Sequence, residues 1–504
     1  MKIPVLWAGI RPPFNELIVS KSATSHRNRH LMKGQIMGSQ TVVRDVVVVL
    51  PGIMGSTLSK NGKLVWAPSA GAVLDAIATF GRSIREMTLP NGIGDHHPND
   101  GVEPVGLMPD LHLLPGLWSA HIGYGKLLNW LRARFHFIEP TAGKPDLIPN
   151  LLPIAYDWRL SNRYNGRRLK SIVEPALERW RAQGGPFADA KLIFICHSMG
   201  GLVARWYIEK EGGAGITRKL VTLGTPYRGA LNALDQLVNG VKKGIGPFAL
   251  NLTSFARSLP SVHQLLPEYA CIESPSGLLK TTETTIPELE TAMINDAMLF
   301  HDEVDQAVAT RTADAYDIHP IVGTRQTTWT TARVFGKSLQ PMETIGDEEE
   351  GGDATVPRLS AIPKGTRPDS NIICFIADQH GALQSNQAVL DQIEAILTAK
   401  PTVYRATTRL ELGVKTEPVV LVGERITVEA RVVGGKRVTL QAKVMNERGK
   451  TVSTNVFRLL EDLHTVEVET LPPGAYRIMV EGVGSMKTSV APVACTVLVW
   501  GGSQ

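Results

Sequence analysis

The chain has 504 residues, of which 43% are hydrophobic and 20% charged. This composition is typical of a globular protein, and at roughly 150 residues per domain the length predicts two or three domains. The formal net charge of +5 is spread thinly along the chain, which argues against a nucleic-acid-binding protein. The apolar run at the N-terminus is short, and no stretch reaches the roughly 20 residues of a membrane-spanning helix. We therefore expect a cytoplasmic protein that can sit peripherally on a membrane.

The four cysteines are far apart in sequence, and none forms a C-x-x-C pair: Cys196, Cys271, Cys374 and Cys495. Cys196 and Cys374 lie in apolar runs that are typical of buried strands. This pattern predicts buried free thiols and fits a reducing compartment, although a disulfide between distant positions stays open.

Residues 1–40 are polar and basic, without a hydrophobic period, and we expect a flexible N-terminal segment there. Six apolar runs then predict strands: Asp45–Leu50, Leu151–Tyr156, Leu192–Cys196, Leu220–Leu223, Pro320–Gly323 and Ile372–Ile376. Apolar residues at three- and four-residue steps predict helices between them: Lys126–Phe135, Arg168–Trp180 and Asn386–Leu397. Such alternation over about residues 41–400 indicates an α/β fold with a mostly parallel central sheet.

Two stretches are too long to be simple connections, about 66–120 and about 227–315. In a hydrolase they would form a lid and a cap over the active site. After residue 400 the pattern changes to short alternating strands: Thr407–Glu411, Arg425–Val433, Val438–Met445, Thr451–Arg458, Thr465–Glu469, Tyr476–Glu481 and Thr488–Trp500. Residues 401–504 are therefore predicted to form a C-terminal all-β sandwich. Its polar residues do not converge on a site, which favours packing or the binding of a protein partner that the sequence does not identify.

The run L-I-F-I-C-H-S-M-G-G-L-V at Leu192–Val203 is the most informative in the chain. It predicts a buried strand ending near Cys196 and a helix beginning just after Ser198. An α/β-hydrolase needs this geometry, because its nucleophile stands on a sharp strand-to-helix turn that exposes the hydroxyl above the sheet. Gly200 fits the second small position of the pattern G-x-S-x-G, and Cys196 stands at the first. Ser198 is thus the candidate nucleophile; the alternative is a serine in an ordinary strand–turn–helix connection.

A serine nucleophile needs a base, and the base needs a carboxylate that orients it. In this fold the acid and then the histidine follow the serine along the chain. The Gly-rich turn Gly351–Pro357 places Asp353 in that order, and His380 lies just past the predicted strand Ile372–Ile376. These two residues are the candidate acid and base.

Rival residues are less well placed for these roles. Asp347, Glu348, Glu349 and Glu350 form a solvated acidic run, and Asp378 is so close to His380 in sequence that we expect it to face elsewhere. His197 flanks the serine, and five histidines precede it, which is the wrong order: His96, His97, His112, His121 and His136.

An oxyanion hole needs two hydrogen-bond donors. The amide of Met199, directly after the nucleophile, is one candidate. The other is expected in the loop after an early strand, and the glycines of Pro51–Ser56 allow the backbone to approach a substrate there. We expect the Ile53 amide to be this second donor.

Six short motifs occur in a characteristic order: P-G-I-M-G-S at Pro51–Ser56, Y-D-W-R at Tyr156–Arg159, H-S-M-G-G at His197–Gly201, G-T-P at Gly224–Pro226, D-A-T-V-P at Asp353–Pro357 and H-G at His380–Gly381. In this combination, over about residues 45–395, the chain resembles the lecithin:cholesterol acyltransferase family, which includes lysosomal phospholipase A2 and phospholipid:diacylglycerol acyltransferases. The resemblance implies an α/β-hydrolase that acts on lipid acyl esters. It implies the same roles for Ser198, Asp353, His380, Ile53 and Met199.

The chain departs from the family pattern in three places. Residues 57–120 contain no cysteine, so the disulfide that closes the lid loop in secreted and lysosomal members is absent. Ala354 stands where glycine is frequent, and the C-terminal β segment is not part of the pattern. Trp66 falls where the resemblance implies a lid tryptophan, which would contact the acyl chains of the substrate.

These observations predict a serine-dependent lipid acyl hydrolase or acyltransferase, a phospholipase or an O-acyltransferase, that needs no cofactor, metal or nucleic acid. A non-lipid esterase or thioesterase and an inactive hydrolase scaffold that serves for binding remain alternatives. The cluster Asp95–Asp100, D-H-H-P-N-D, offers metal-ligating residue types, but a polar lid loop is the favoured interpretation. The head group, the acyl length and the acceptor are not determined by the sequence.

Overall fold

The computed structural model describes residues 40–67, 86–90, 92–109, 123–139, 146–243, 250–312, 315–346, 348–398 and 409–501. Nearly all of the predicted N-terminal segment 1–40 and much of the predicted lid lie outside the described residues.

The elements of the α/β segment, residues 40–398, are as follows in chain order. The strands are β1 (Thr41–Val42), β2 (Val46–Leu50), β3 (Ser56–Lys60), β4 (Lys63–Trp66), β5 (Val102–Leu107), β6 (Phe135–His136), β7 (Leu151–Pro153), β8 (Leu192–His197), β9 (Thr217–Leu223), β10 (Lys242–Lys243), β11 (Leu250–Asn251), β12 (Ile272–Ser274), β13 (Gly277–Leu279), β14 (Asp317–Thr324), β15 (Thr331–Phe335), β16 (Ser338–Met342), β17 (Thr344–Ile345), β18 (Glu348–Glu349) and β19 (Cys374–Ala377). The α-helices are α1 (Gly125–Arg134), α2 (Asn162–Arg181), α3 (Gly200–Lys210), α4 (Leu231–Val238), α5 (Thr253–Ser258), α6 (Pro260–His263), α7 (Thr291–Thr310), α8 (Arg358–Ala361) and α9 (Gln387–Thr398), and 3-10 turns cover Gly185–Phe187, Ala214–Ile216 and His380–Ser385.

A parallel sheet of six strands forms the centre of this segment, in the order β7-β2-β8-β9-β14-β19. These are the six strands that the apolar runs predict, with ends shifted by a few residues. One expectation is wrong in part: Cys374 is half-buried, because β19 lies at the edge of the sheet and Phe375 beside it is exposed. All four cysteines are described, and no two of them are joined by a disulfide.

Two hydrophobic cores cover the two faces of the sheet, and strand β2 contributes side chains to both. Val46, Val48 and Leu50 point into one core, and Val47 and Val49 point into the other. A strand with helices on both faces needs such a continuous β-branched run, since successive side chains alternate between faces. Helices α2 and α3 contribute to the first core, and α1 and α9 contribute to the second.

Helix α2 begins six residues before its predicted start at Arg168. Its N-cap is Ser161, whose hydroxyl accepts a hydrogen bond from the Tyr164 amide. Asn162, Arg163 and Asn165 in the first turns are buried although they are polar. An apolar period therefore does not reveal the start of this helix.

Smaller sheets are built from the chain between the central strands. The order β4-β3-β5 brings the loop after β2 together with residues 102–107, and β13-β12-β15-β16 joins the predicted cap to the segment after β14. The strands β15 to β18 are not predicted by the sequence pattern. Among the described residues, no helix is both long and apolar enough to cross a membrane.

The C-terminal β segment, residues 409–501, contains β20 (Leu412–Thr416), β21 (Val419–Leu421), β22 (Ile426–Val432), β23 (Leu440–Asn446), β24 (Thr451–Val456), β25 (Arg458–Leu460), β26 (Leu463–Val468), β27 (Gly474–Gly482) and β28 (Val493–Trp500), with a 3-10 turn at Gly484–Thr488. Two sheets, β20-β22-β26-β25 and β21-β28-β27-β23-β24, contribute to one hydrophobic core. This shared core supports the sandwich interpretation.

Two predicted strands of this segment are wrong in position. The first runs over Leu412–Thr416 instead of Thr407–Glu411, and residues 407 and 408 lie outside the described residues. The last begins at Val493, not Thr488, because the chain first makes a 3-10 turn and then passes Pro492. Strand β21 is too short, directly after Pro418, to be recognised from its sequence.

Candidate active site

Ser198 stands in the turn between strand β8, which ends at His197, and helix α3, which begins at Gly200. Its φ of 53° lies in the left-handed region, which a residue with a side chain adopts only when its surroundings impose it. The Ser198 amide donates to the Leu223 carbonyl at 2.9 Å, and the Ser198 carbonyl accepts from the Thr225 hydroxyl at 2.9 Å. Strand β9 and the residues after it thus hold the strained turn.

Gly200 is required by the close approach of the turn to the loop after β2. A Cβ at this position would lie 2.4 Å from the Pro51 carbonyl oxygen, which no side chain tolerates. This is the second small position of the G-x-S-x-G pattern. The first, Cys196, is fully buried in the core beneath the turn.

His380 lies at the start of the 3-10 turn that follows β19, and its ring contacts both other candidate residues. Nε2 is 2.8 Å from the Ser198 hydroxyl oxygen, and Nδ1 is 2.8 Å from Oδ2 of Asp353. An ionised carboxylate only accepts hydrogen bonds, so Nδ1 carries the proton and Nε2 accepts from the serine hydroxyl. The structure therefore brings Ser198, His380 and Asp353 together, although 182 positions separate the first two in sequence.

Asp353 is held by a tight turn, with no measurable exposure to solvent. Its Oδ1 accepts from the amides of Thr355, at 3.1 Å, and Val356, at 2.7 Å, while its own carbonyl accepts from the His380 amide at 2.8 Å. Ala354 has a φ of 72°, which explains why glycine is frequent at this position in the family pattern. An alanine there costs about 1–2 kcal/mol in backbone strain.

The rival acids make other contacts. Asp378 accepts from the Asn386 side chain at 2.8 Å and from the Gln379 amide at 2.9 Å, so its carboxylate is directed away from the His380 ring. Glu350 pairs with Arg358, and Glu348 and Glu349 are not buried. Asp347 lies outside the described residues.

His197 and Tyr124 form a buried network beside the three candidate residues. The Gly52 amide donates to the Tyr124 hydroxyl oxygen at 2.7 Å, and Tyr124 lies 2.9 Å from Nδ1 of His197. Since the tyrosine donates its one proton to Nδ1, Nε2 of His197 carries a proton and donates to the His380 carbonyl at 3.0 Å. Tyr124 was not identified from the sequence, where its two glycine neighbours are the only signal.

The two predicted oxyanion donors both lie near Ser198, since Ile53 lines the same cavity and Met199 is the next residue in the chain. Ile53 belongs to a turn closed by the Gly55 amide, which donates to the Gly52 carbonyl at 3.0 Å, and Met199 precedes the first residue of α3. Within the part of the chain that the structure describes, neither the Ile53 amide nor the Met199 amide has a hydrogen-bond acceptor. Both residues are buried, and a buried amide without an acceptor is uncommon in a folded protein.

A small cavity opens at Ser198 and His380. Its other lining residues are mostly apolar: Ile53, Pro226, Ala230, Leu265, Thr355 and Val356. An apolar lining of this kind suits hydrocarbon. Trp66 is not among these residues: its indole is buried against Trp158, with Nε1 donating to the Met54 carbonyl at 3.0 Å. The predicted contact of Trp66 with a substrate stays a prediction.

The acidic residues of the cluster Asp95–Asp100 face arginines. Asp100 lies 2.8 Å from the Arg159 guanidinium, and Asp95 lies within 4 Å of Arg163 and Arg167. Over the described residues, no group of three or more His, Cys, Asp or Glu side chains is arranged to hold a metal ion.

The parallel sheet with helices on both faces, the strained turn after β8, and the order of Ser198, Asp353 and His380 together define an α/β-hydrolase fold. Residues 148–334 match the model of the lecithin:cholesterol acyltransferase family. This match covers a little over a third of the chain and confirms the predicted resemblance. It includes Ser198 and Met199 but not Ile53, Asp353 or His380.

Three solved structures are similar to this chain only at low TM-scores. The lipase BlEst2 of Bacillus licheniformis, in its propeptide form, is 10% identical, with 91% of this chain and 94% of that chain covered and a TM-score of 0.34. The PKD domain of the human VPS10 domain-containing receptor SorCS2 is 22% identical, with 19% and 76% covered and a TM-score of 0.15. An engineered protein is 12% identical, with 68% and 60% covered and a TM-score of 0.19. A search of curated proteins gave no match.

Proposed function

We propose that this protein is a serine-dependent lipid acyl hydrolase or acyltransferase, with Ser198 as nucleophile, His380 as general base and Asp353 as the acid that orients the base. One observation carries this proposal. His380 is 2.8 Å from Ser198 through one ring nitrogen and 2.8 Å from Asp353 through the other, in a buried site beside an apolar cavity. This is the arrangement that activates a serine hydroxyl.

The first half of the reaction forms an acyl-enzyme. Nε2 of His380 takes the hydroxyl proton as the Ser198 oxygen bonds to the ester carbonyl carbon. The negative charge that develops on the carbonyl oxygen is stabilised by the amides of Ile53 and Met199, which have no acceptor of their own among the described residues. When the ester C–O bond breaks, His380 returns the proton to the leaving alcohol oxygen.

The second half releases the acyl group to an acceptor. Water or an alcohol loses a proton to Nε2 of His380 and attacks the acyl carbonyl, and the Ser198 oxygen leaves with that proton. Water as acceptor gives a free fatty acid, which is the product of a phospholipase. A sterol or diacylglycerol hydroxyl gives a new ester, which is the product of an acyltransferase.

Two observations support a lipid acyl group. The first is the family match over residues 148–334. The second is the apolar lining of the cavity beside Ser198, which favours an acyl chain over a polar substituent. We further propose that the α/β segment contains the whole active site, with the chain near residues 227–315 as its cap.

Mass spectrometry of lipid products tests this proposal. We expect the purified full chain, incubated with mixed phospholipid vesicles, to release fatty acid and lysolipid, and to form new ester when a sterol or diacylglycerol is added. Ser198→Ala should lower the rate by several orders of magnitude, because a triad member is lost. Ser171→Ala is the matched control, since Ser171 is exposed on α2 and donates only to the Arg168 carbonyl.

A fluorophosphonate probe separates the alternatives. Labelling of Ser198 without any lipid product would overturn the lipid assignment and favour an esterase or thioesterase for soluble substrates. Neither labelling nor turnover in a folded protein would favour the inactive scaffold. Undiminished activity of Ser198→Ala would refute the serine mechanism itself.

A further inference from the structure

The C-terminal β segment contacts the α/β segment through the free edge of strand β20. Among the described residues, this strand is the outer strand of its sheet and pairs only with β22. The unpaired groups of such an edge need partners when the edge is covered. Here the partners are the side-chain amides of two glutamines, Gln326 and Gln379.

Gln326 completes the strand edge with both ends of its amide. Its Nε2 donates to the Leu412 carbonyl at 3.0 Å, and its Oε1 accepts from the Val414 amide at 3.0 Å. Only 1% of Gln326 is exposed. The backbones approach closely, since a Cβ on Gly413 would lie 2.7 Å from the Arg325 carbonyl oxygen. The contact between the two segments is therefore buried and closely packed.

The backbone of Gln326 is bonded to the turn that carries the proposed acid. Its amide donates to the Gly352 carbonyl at 3.0 Å, and the Gly352 amide donates to the Gln326 carbonyl at 3.1 Å. Gly352 directly precedes Asp353. Gln326 thus bonds strand β20 through its side chain and the turn that carries Asp353 through its backbone.

The proposed base has an equivalent link. Gln379, directly before His380, donates from Nε2 to the Val414 carbonyl at 3.2 Å. Further along, Ala382 packs against Ala494 and Met479 of the C-terminal β segment. The backbone groups of Leu412 and Val414 therefore hydrogen-bond to Gln326, which is bonded to the acid turn, and the Val414 carbonyl also accepts from Gln379, which directly precedes the base.

We propose that strand β20 positions the acid and the base of the proposed triad, with Gln326 and Gln379 as the positioning residues. The inference rests on the proposed function. It assigns the C-terminal β segment a part in turnover, because the distance between Asp353 and His380 depends on two separate turns that the same strand holds. Neither glutamine contacts the cavity, so their loss should affect the rate of the chemical step more than substrate binding.

Gln326→Met tests the inference in the full chain, because it keeps an unbranched side chain of similar size and removes both amide bonds. On a short soluble nitrophenyl ester we expect kcat to fall about 10- to 100-fold, the cost of misplacing a catalytic group by about 1 Å, with KM changed by less than about twofold. Glu411→Gln is the matched control. It breaks the exposed ion pair with Arg325, which joins the same two segments without touching either turn, and it should leave kcat within about twofold of the wild type.

A double-mutant cycle distinguishes positioning from general loosening. If Gln326 acts through Asp353, then Gln326→Met should slow fluorophosphonate labelling of Ser198 by less than about twofold in an Asp353→Asn background. The full loss in that background would overturn the inference, and so would an unchanged kcat in the single variant. Gln379→Met, at a half-buried position, replaces the first variant if that one does not fold. Absence of labelling in the wild type would instead refute the proposed function.

Discussion

Tyr124 is the residue outside the proposed triad whose contacts bear most directly on the reaction. Its hydroxyl accepts from the Gly52 amide, beside the proposed oxyanion donor Ile53, and donates to His197, which in turn bonds the His380 carbonyl. Burial raises the pKa of Tyr124 well above its usual value, so the hydroxyl keeps its proton at any working pH. One side chain thus joins the oxyanion loop to the base.

We expect Tyr124→Phe to destabilise the protein by about 1–3 kcal/mol, because the buried Gly52 amide loses its acceptor and His197 loses its hydrogen bond from the tyrosine. The value of kcat should fall several-fold, with KM nearly unchanged, as the Ile53 amide loses its fixed position. Urea denaturation and ester hydrolysis measure the two effects.

Tyr164→Phe provides the comparison for Tyr124, since Tyr164 is only partly buried and its ring packs near His97. This variant should match the wild type in both measurements. Equal stability of Tyr124→Phe and the wild type would contradict the proposed network.

At the scale of elements, the segment after β7 fixes two described stretches of the predicted lid. Arg159 is fully buried and lies 2.7 Å from Oδ2 of Asp157 and 2.8 Å from Oδ2 of Asp100, and it also donates to the Met87 carbonyl at 3.0 Å. These bonds attach two stretches, 86–90 and 92–109, to the segment that follows β7. Asp157 and Arg159 of the Y-D-W-R motif are therefore explained by these structural contacts, and no catalytic role for the arginine is needed.

We expect Arg159→Met to lower the free energy of unfolding by about 3–5 kcal/mol, because the carboxylate of Asp157 would stay buried without its partner. Arg167→Met removes an arginine of the same region that is more exposed and 3.9 Å from Asp95, and it should cost less than about 1 kcal/mol. Urea unfolding of both variants measures the difference. Similar losses in the two would show that the buried network does not hold these stretches.

The central strands and the three candidate catalytic residues could be predicted because their signals are local. A continuous β-branched run such as Val46–Leu50 marks a strand buried on both faces, and Ser198, Asp353 and His380 each sit in a turn with recognisable residues. The start of α2 could not be predicted, because its first turns bury polar side chains.

Tyr124 and Gln326 were missed for a different physical reason. Tyr124 bonds a residue 73 positions away, and Gln326 bonds one 88 positions away. A glutamine whose side chain hydrogen-bonds to a strand edge belongs to no hydrophobic period and to no sequence motif. Only the packing of the two segments gives it a role.

At the scale of the whole molecule, the two segments also meet at Asp378. Its carboxylate is buried and accepts from the Ala494 amide of the C-terminal β segment at 3.5 Å, as well as from Asn386 and the Gln379 amide. Burial raises the pKa of Asp378 to about 6, and these hydrogen bonds and the charge of Arg477 offset the shift only in part. The ionised form is therefore disfavoured in the folded protein.

The stability of the molecule should depend on pH accordingly. Below the ordinary aspartate pKa, Asp378 is protonated in both the folded and the unfolded chain. As the pH rises through about 6, the unfolded chain binds fewer protons than the folded one, so this contribution to stability is lost, by on the order of 1–3 kcal/mol. We expect the difference in stability between Asp378→Asn and the wild type to shift in favour of the variant by that amount from pH 4 to pH 7. A packing cost of the substitution would offset the whole curve and leave this shift unchanged. Asp302→Asn, at an exposed position on α7, is the control, and its curve of stability against pH should run parallel to that of the wild type. A parallel curve for Asp378→Asn would show that the Asp378 carboxyl is not buried at the junction.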